Sequence, residues 1–287
     1  MSKPKVSVLM PVYKTNETYL REAIESILGQ TYGDFELLIL DDCPNDDREA
    51  VVKSYQDERV KYIKNEKNIG IAQSRNKLIN MAEGEYLAVM DHDDISTPTR
   101  FEKQVAYLDA NPECGVVGSW MDDFLHKRVY KFPAEDTEIK KLLMEICAVT
   151  HPSSMIRKAV LQEHNLKYEE EYSPSEDYCL WLRLIEFTQF HNIQEPLFKY
   201  RMHDDNTSTH QKTKMTDATQ KLWLWIRNKY PMLYQAYLNE RSQIVKVKLF
   251  NIIPLLKIKA KPNKIKVYLF NFIPLLILNR KVLQWPK

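Results

Sequence analysis

Acidic residues crowd together directly after a short apolar stretch in the first third of the chain. The stretch, residues 86–90, reads Tyr-Leu-Ala-Val-Met, and Asp91, His92, Asp93 and Asp94 follow it. So short an apolar run suits a buried strand better than a helix. Carboxylates this close together repel one another unless a cation neutralises them, and a divalent metal that holds phosphate oxygens is a common solution. The motif therefore indicates a metal-phosphate site, with a solvated acidic turn as the alternative.

A second acidic pair, Glu176 and Asp177, opens an amphipathic stretch that predicts a helix over 176–187. The dipole at a helix N-terminus favours carboxylates on structural grounds alone. A carboxylate beside a substrate hydroxyl can also accept its proton as a general base, so the pattern leaves both readings open. His151 and His203 lie in polar segments, where a lone histidine is either a surface residue or part of a site.

Strands and helices that alternate over the first 120 residues would position these acids. Strands are predicted at 6–10, 35–40, 60–63, 86–90 and 115–119, and helices at 19–30, 46–55, 71–81 and 100–110. Pro11 is expected to end the first strand. The alternation predicts a parallel sheet with right-handed crossovers. Ligands of such sheets bind at the carboxyl ends of strands, where Asp41, Asp42 and the 91–94 motif fall.

The alternation loosens beyond residue 120. A helix is predicted at 137–147, a polar turn at 150–154 and a long aromatic-rich helix at 215–238. Irregular segments of this kind commonly carry binding residues, so a second substrate pocket is expected beside the sheet.

Charge is distributed unevenly along the 287 residues. The net charge is only +2, but residues 241–287 hold eleven Lys and Arg and no Asp or Glu, so the rest of the chain has 30 basic and 39 acidic residues. This asymmetry points to a tail that meets a polyanion. The four cysteines show no paired spacing and are read as buried thiols of a reducing compartment. Without a signal-peptide pattern at the N-terminus, a cytoplasmic protein is expected.

The basic tail contains a repeat, because residues 246–256 recur in closely similar form at 266–276. Neither copy approaches the about 20 apolar residues that span a bilayer. Apolar residues interleaved with lysines suit a segment in the headgroup layer of an anionic membrane. Nucleic acid is disfavoured as the partner because aliphatic residues outnumber the aromatics that would stack on bases. A hairpin packed on the rest of the protein stays open as the alternative.

Six short motifs occur in order along residues 5–208. They are Pro11-Val12-Tyr13, Asp41-Asp42, Asn68-x-Gly70 with Arg75-Asn76, Asp91-His92-Asp93-Asp94, Ser175-Glu176-Asp177 and Tyr200-Arg201-x-His203. Together they resemble glycosyltransferase family 2, the nucleotide-sugar-dependent enzymes of GT-A fold. The resemblance implies an α/β fold with a mostly parallel sheet flanked by helices, followed by a helical and amphipathic extension. It also implies transfer of a sugar with inversion.

The resemblance assigns roles on the donor side. Pro11 and Tyr13 would pack on the nucleotide base, where an aromatic face suits stacking. Asp42 would accept the ring N–H of the base, a role that Asp41 could share. Arg75 would lie near the diphosphate or the base. The full set of nucleotide-sugar-binding residues implied is Pro11, Tyr13, Asp41, Asp42, Asn68, Arg75, Asp91, His92 and Asp94.

The resemblance also implies a metal and a base. Asp91 would lean toward the ribose while Asp93 ligates the ion, with Asp91 and His203 as further ligands. The ion would be Mn²⁺ or Mg²⁺, and a histidine ligand favours manganese. Asp177 would be the general base and Glu176 would support it or bind the acceptor. His151 would contact the acceptor.

The implied organisation is a catalytic domain at 1–212, a helical segment at 213–240 and the basic tail at 241–287. Within the first, residues to about 120 would bind the nucleotide-sugar and 121–212 the acceptor. The expected activity moves a sugar, from UDP-hexose or UDP-N-acetylhexosamine, to a growing surface glycan or glycolipid such as capsule, O-antigen or lipooligosaccharide. The expected location is the inner face of the plasma membrane, with the tail on anionic lipid.

Two other functions are compatible with parts of the sequence. A nucleotidyl- or phosphoryl-transferase could use the same acidic loop, but the chain lacks a glycine-rich phosphate cradle and has only six glycines. A non-catalytic membrane scaffold would have no use for both Asp93 and Asp177. Oligomeric state and acceptor linkage leave no trace in the sequence.

Overall fold

The structure, a computed structural model, describes residues 3–45, 48–203, 206 and 210–239, together with the backbone of 256–261, 264–269 and 273–279. The chain divides into two compact units, Met1–Asn228 and Lys229–Lys287. The division falls inside the segment 213–240 that the sequence sets apart as helical.

The described residues of the first unit form nine strands, which all belong to one sheet. They are β1 Val6–Val12, β2 Phe35–Asp41, β3 Val60–Lys64, β4 Tyr86–Val89, β5 Ile95–Ser96, β6 Cys114–Asp123, β7 Arg128–Tyr130, β8 Met155–Arg157 and β9 Gln189–Tyr200. The helices are α1 Glu17–Leu28, α2 Glu49–Lys53, α3 Ile71–Met81, α4 Arg100–Ala110, α5 Asp136–Leu142, α6 Lys158–Glu163, α7 Glu176–Leu184 and α8 Lys212–Lys229. Short 3₁₀ turns lie at His151–Ser153 and Glu170–Tyr172.

The strand order is β3-β2-β1-β4-β8-β6-β9-β5, with β7 paired to β6. The first four strands are parallel to one another. Strand β8 is antiparallel to both of its neighbours, β4 and β6, whereas β9 runs parallel to β6. The predicted α/β fold is therefore confirmed, with a mixed sheet in which parallel pairing joins the first four strands and β6 to β9.

The central strands are buried along their whole length, since every residue of β1, β2 and β4 is inaccessible or nearly so. This explains their continuous apolar runs, because helices cover both faces of a parallel sheet. Helix α1 begins at Glu17, two residues before the predicted start, because the Asn16 side chain accepts hydrogen bonds from the backbone N–H groups of Thr18 and Tyr19.

The expectation that Pro11 ends the first strand is wrong, since β1 continues through it to Val12. The backbone of Leu9 bonds toward β4 and that of Val12 toward β2, so Pro11 falls on the β4 side. Pairing with β4 stops at Leu9. The missing N–H of Pro11 therefore lies beyond the end of the neighbouring strand and removes no ladder bond.

Helix α8 belongs to the first unit up to Asn228. Its residues Ala218, Leu222 and Ile226 are buried, and Trp223 Nε1 donates to the carbonyl oxygen of Glu145 at 3.0 Å. The four cysteines are free thiols, as expected, and Cys147 alone among them is only partly buried.

In the second unit, the described backbone forms a three-stranded antiparallel sheet of β10 Leu256–Lys261, β11 Lys264–Leu269 and β12 Ile273–Asn279. The second sequence repeat, 266–276, overlaps β11 and β12, whereas nearly all of the first, 246–255, lies outside the described residues. Within the part of the chain that the structure describes, no helix has the length and apolar character to cross a membrane.

Candidate active site

Predicted site residues meet at the edge where β1, β2 and β4 end. The last pair of β1 and β2 joins Val12 to Asp41, and Asp91 follows two residues after the end of β4. Three parallel strands ending side by side bring residues from distant parts of the sequence to one crevice, as expected for a sheet of this kind.

Asp41 and Asp42, at the end of β2, are both buried and both held by protein donors. Asp41 Oδ1 accepts from the Cys43 N–H at 2.9 Å, and its Oδ2 accepts from Tyr62 Oη at 2.8 Å. Asp42 has other hydrogen-bond partners, given next, although nothing in the sequence distinguishes the two carboxylates.

Asp42 organises the loop that leads into α3. Its Oδ1 accepts from Asn65 Nδ2 at 2.8 Å and from the Ile69 N–H at 2.9 Å, while Oδ2 accepts from the Gly70 N–H at 2.8 Å. Gly70 also bonds to Asn68 Oδ1 at 3.0 Å. Its φ of 83° lies in the left-handed region that favours glycine, which is why the Asn68-x-Gly70 pattern suits this turn.

The residues predicted to pack on a base lie just beyond these acids. Pro11 is buried within β1, whereas Tyr13 follows the strand and is 44% exposed. An exposed aromatic ring at a strand end is accessible for stacking.

The acidic loop 91–94 is held from the C-terminal end of β9. Arg201 donates its backbone N–H to Asp94 Oδ1 at 2.7 Å and its Nε–H to the Asp93 carbonyl oxygen at 2.8 Å. Asp94 is fully buried, and burial, together with the charges of Asp93 and Asp91, raises the pKa of its carboxyl well above the usual range. Its Oδ2 has no hydrogen-bond partner among the described residues.

His203 meets the same loop, with Nε2 at 2.9 Å from Asp93 Oδ2. Asn206 fixes the turn that carries it: Asn206 Oδ1 accepts from the His203 N–H at 2.5 Å, and Asn206 Nδ2 donates to the Arg201 carbonyl oxygen at 3.2 Å. The ring of Tyr19 lies 5.4 Å from the His203 ring. The late histidine and the acidic loop, 110 residues apart, are therefore neighbours.

Arg75 lies on the buried face of α3 and reaches both acidic motifs. Its Nη1 is 2.5 Å from Glu176 Oε1, and its Nη2 is 3.3 Å from Asp91 Oδ1. Burial lowers the pKa of the guanidinium, but the charges of Glu176 and Asp91 outweigh that effect and raise it above its usual value. Arg75 is therefore a buried residue of the site and not an ordinary arginine of the helix surface.

Burial raises the pKa of Asp91 as well, and the neighbouring charge of Asp93 adds to the shift while Arg75 opposes it. His92, between the two acids, is partly exposed, and its Nδ1 has no hydrogen-bond partner among the described residues.

Glu176 and Asp177 form the first turn of α7, as the sequence indicates. Glu176 is buried, and its Oε2 has no hydrogen-bond partner among the described residues. Asp177 is partly exposed and accepts from the Tyr178 N–H at 2.7 Å. Burial and the adjacent charge of Glu176 raise the pKa of Asp177 to about 6, against the opposing charge of Arg75. Such a carboxyl is poised to exchange a proton near neutral pH.

His151 lies deeper than the acids. It is only 3% exposed, and its Nε2 is 2.8 Å from Tyr168 Oη. Burial and the charge of Arg75 hold the pKa of His151 well below its usual range, so the ring is neutral. Its predicted contact with an acceptor stays a prediction, since Tyr168 occupies its ring nitrogen in this structure.

Of the three predicted metal ligands, Asp93 and His203 lie within hydrogen-bond distance of each other. Within the described residues, no group of three or more His, Cys, Asp or Glu gathers at metal-binding distance. Asp91, the third predicted ligand, is turned toward Arg75. One carboxylate and one imidazole, completed by phosphate oxygens and water, nevertheless fit a divalent ion, because such ions at phosphate sites take few protein ligands.

Sequence reasoning missed the residues that hold the site together. Arg201 stood in a recognised motif but received no role, and Asn206 and Tyr168 were assigned none. Arg201 could have been suspected from its position beside His203, whereas nothing in the pattern points to Tyr168.

Comparisons with known proteins agree with this geometry. Residues 7–164 match the family model described as Glycosyl transferase family 2. An uncharacterized glycosyltransferase of Methanocaldococcus jannaschii is 40% identical over 231 residues, covering 75% of this chain and 77% of the relative. The Escherichia coli enzyme WfgD, named UDP-Glc:alpha-D-GlcNAc-diphosphoundecaprenol beta-1,3-glucosyltransferase, is 26% identical over 231 residues, covering 80% of this chain and 89% of the relative.

Solved structures are similar in fold. S. aureus TarS in complex with UDP-GlcNAc aligns with a TM-score of 0.67 at 18% identity, over 86% of this chain and 75% of that one. Mannosyltransferase PcManGT from Pyrobaculum calidifontis, in complex with GDP-Man and Mn²⁺, aligns with a TM-score of 0.58 at 13% identity, over 85% of this chain and 76% of that one. At these identities the likeness shows the fold, and it confirms the expected GT-A architecture.

Proposed function

The chain belongs to glycosyltransferase family 2, and from that premise we propose that it moves a sugar from a UDP-sugar to a hydroxyl group of a growing surface glycan, with help from a divalent metal ion. The observation that carries the proposal is Asp177: a partly exposed carboxyl with a pKa of about 6, whose neighbour Glu176 is tied through Arg75 to the acidic loop.

The donor is proposed to bind in the crevice where β1, β2 and β4 end. Tyr13 offers an exposed ring for the base, and Asp42, at the end of the neighbouring strand β2, holds the loop that leads into α3 through the Ile69 and Gly70 N–H groups. A UDP-sugar is favoured because TarS binds UDP-GlcNAc and the name of WfgD specifies UDP-Glc. Both a hexose and an N-acetylhexosamine are compatible with these relatives.

Asp93 and His203 are proposed to hold the metal ion, and Mn²⁺ suits this oxygen and nitrogen pair. PcManGT, of the same fold, is seen with Mn²⁺. The ion, when bound, neutralises charge on the diphosphate as it becomes the leaving group. Asp91 and His92 are proposed to face the ribose and phosphates, and Asp94, whose buried Oδ2 has no hydrogen-bond partner among the described residues, is proposed to orient the sugar.

Asp177 is proposed to act as the general base. As the acceptor oxygen bonds to the anomeric carbon, its proton passes to Asp177 and the bond from that carbon to the phosphate oxygen breaks, releasing UDP. A single in-line displacement of this kind inverts the anomeric configuration. Glu176 is proposed to accept a hydrogen bond from a second hydroxyl of the acceptor at its buried and unpartnered Oε2, while His151 supports the pocket wall through Tyr168.

The acceptor is proposed to be lipid-linked and to be met at the inner face of the plasma membrane. WfgD, by its name, acts on a diphosphoundecaprenol-linked sugar. In the second unit, the register pairs Lys259 with Lys266 and Lys261 with Lys264. Like charges directly opposite one another destabilise a strand pair, so an anionic lipid surface would stabilise this sheet.

A donor screen tests the proposal. Full-length protein is incubated with UDP-glucose, UDP-N-acetylglucosamine or GDP-mannose, in the presence of either Mn²⁺ or EDTA, and released nucleotide is measured. We expect slow release of UDP from at least one UDP-sugar with Mn²⁺ and none with EDTA. Release from GDP-mannose alone would contradict the UDP assignment, and release that persists in EDTA would contradict the role of the metal.

A further inference from the structure

One buried guanidinium joins the two acidic motifs of the site. Arg75 binds Asp91, in the loop after β4, and Glu176, the first residue of α7. The side chains of Arg75 and Glu176 are 9% and 4% exposed, so this ion pair is shielded from water. Asp91 and Glu176 lie on the donor and acceptor sides of the proposed site, and Arg75 is the contact between them.

Residues of α3 next to Arg75 bind the segment that precedes α7 on the acceptor side of the proposed site. Asn76 bonds both backbone groups of Tyr168, accepting from its N–H at 2.9 Å and donating to its carbonyl oxygen at 2.8 Å. Gln73 donates to Glu170 at 3.1 Å, and the Tyr168 ring lies 5.6 Å from the guanidinium of Arg75. Helix α3 is therefore the element on which the segment leading into α7 docks.

The family resemblance assigns Arg75 to the diphosphate or the base, but its hydrogen bonds favour another task. Both terminal nitrogens of Arg75 are already directed at carboxylates. A cation paired with two carboxylates, one buried and one partly exposed, adds little net attraction for a phosphate. A planar fork of donors is, however, well suited to fix two carboxylates relative to each other.

We propose that Arg75 is a positioning residue: through Glu176 it sets the first turn of α7, and with it Asp177, against the donor loop at Asp91. The inference rests on the proposed function and deepens it, because it names what aligns the base with the donor. Asp177 adjoins Glu176, so a displaced Glu176 moves the base. Misplacement by about 1 Å can reduce turnover about 100-fold without weakening substrate binding.

The experiment compares five full-length variants with the wild type: Arg75→Met, Arg75→Lys, Glu176→Gln, the double variant Arg75→Met/Glu176→Gln, and Arg59→Met. Arg59 is the matched control because it pairs with a carboxylate, Asp57, at 2.7 Å in a turn before β3. Affinity for UDP and for UMP is measured with Mn²⁺ by calorimetry. Release of UDP from UDP-glucose or UDP-N-acetylglucosamine gives kcat and KM.

We expect Arg75→Met to lower kcat about 100-fold while KM and UDP affinity change less than about threefold. Arg75→Lys keeps the positive charge but lacks the planar guanidinium that binds two carboxylates. Its kcat should therefore be about tenfold higher than that of Arg75→Met. The double variant should be no slower than Arg75→Met alone, because both changes break one interaction. Arg59→Met should match the wild type.

Three results would overturn the inference. The first is a UDP affinity that falls more than about tenfold in Arg75→Met while UMP affinity is unchanged, which identifies a diphosphate ligand. The second is a kcat that stays within about threefold of the wild type. The third is a double variant in which kcat falls by the product of the factors lost in Arg75→Met and in Glu176→Gln.

The control and the stability data separate this inference from the proposed function. If Arg75→Met fails to fold, the charge-retaining Arg75→Lys and the double variant carry the same comparison. If the wild type releases no UDP, the proposed function fails. Urea unfolding of the single and double variants then decides whether Arg75 holds Glu176, and additive losses of stability refute the inference.

Discussion

Two pairs of adjacent acids in this protein look alike in sequence and differ in structure. In Asp41–Asp42, every carboxylate oxygen accepts a hydrogen bond from a protein donor. In Glu176–Asp177, one oxygen of Glu176 has no partner among the described residues, and Asp177 is partly exposed with a pKa raised to about 6. All four oxygens of the first pair hold neighbouring segments of the chain, whereas the second pair has an oxygen without a protein partner, which agrees with the acceptor-side role proposed for it. Hydrogen-bond occupancy, which the sequence does not reveal, distinguishes the two pairs.

The acidic loop 91–94 contains a carboxylate held by protein donors and another in the proposed metal site. Substitution in this loop gives the largest expected effect. Asp94 is buried and bonded to Arg201, whereas Asp93 meets His203 in the proposed metal site. We expect Asp93→Ala to abolish the Mn²⁺-dependent part of UDP binding, because half of the protein donor set is removed. Calorimetric titration of UDP with and without Mn²⁺ checks this. Metal-dependent affinity that survives in the variant would remove Asp93 from the site.

Substitutions in the two pairs of acids are expected to change the free energy of unfolding in opposite directions. Asp42→Ala leaves the Asn65 amide and two backbone N–H groups without their acceptor, and should destabilise the protein by about 2–4 kcal/mol. Asp177→Asn should instead stabilise it at pH 7.5, on the order of 1 kcal/mol after allowance for its partial exposure. The comparison is contradicted if urea unfolding shows that both variants are stabilised or that both are destabilised.

The pH dependence of that stabilisation follows from the raised pKa of Asp177. The folded-state pKa of about 6 exceeds the usual 3.8, so the ionised carboxyl disfavours the folded state. This cost is complete above about pH 6 and disappears as the pH falls to 3.8. The advantage of Asp177→Asn should therefore shrink over that interval. An advantage that is independent of pH would show that the stabilisation does not come from removing an ionised carboxyl.

The turnover of the wild type should also depend on the protonation of Asp177. A base must be unprotonated to act, so kcat is expected to rise with pH to a plateau, with its midpoint near the Asp177 pKa of about 6. Below the midpoint the rate should fall about tenfold per pH unit. A rate profile measured at saturating donor checks this, and a flat profile between pH 5 and 8 would point to a different base.

The smallest expected effect concerns the basic tail. Residues 1–228 form a compact unit of their own, so truncation after residue 240 should leave turnover on a water-soluble acceptor within about twofold. The full-length protein should sediment with anionic vesicles and release in high salt, while the truncated form stays in solution. If the truncated form binds vesicles equally well, or is insoluble, the packed-hairpin alternative replaces the membrane role.

The sequence predicted the fold well because each buried parallel strand is a short apolar run between amphipathic helices. It failed at Pro11, since only the pairing pattern tells which side of a strand the missing N–H faces. Motif order indicated the acidic loop and the α7 acids, and the structure shows that Arg75 contacts both, while their roles stay predictions. The partners of Arg75 were not predictable, because the bond to Glu176 spans 101 residues and depends on how α3 meets α7.

The most direct test of Asp177 as the base is the turnover of Asp177→Asn beside its affinity for UDP. The amide keeps the shape of the side chain but cannot accept the acceptor's proton. We expect UDP affinity with Mn²⁺ to remain within about threefold of the wild type while kcat falls at least about 100-fold and loses its dependence on pH near 6. A variant that retains kcat within about tenfold of the wild type, with the same pH profile, would contradict the assignment of Asp177 as the base.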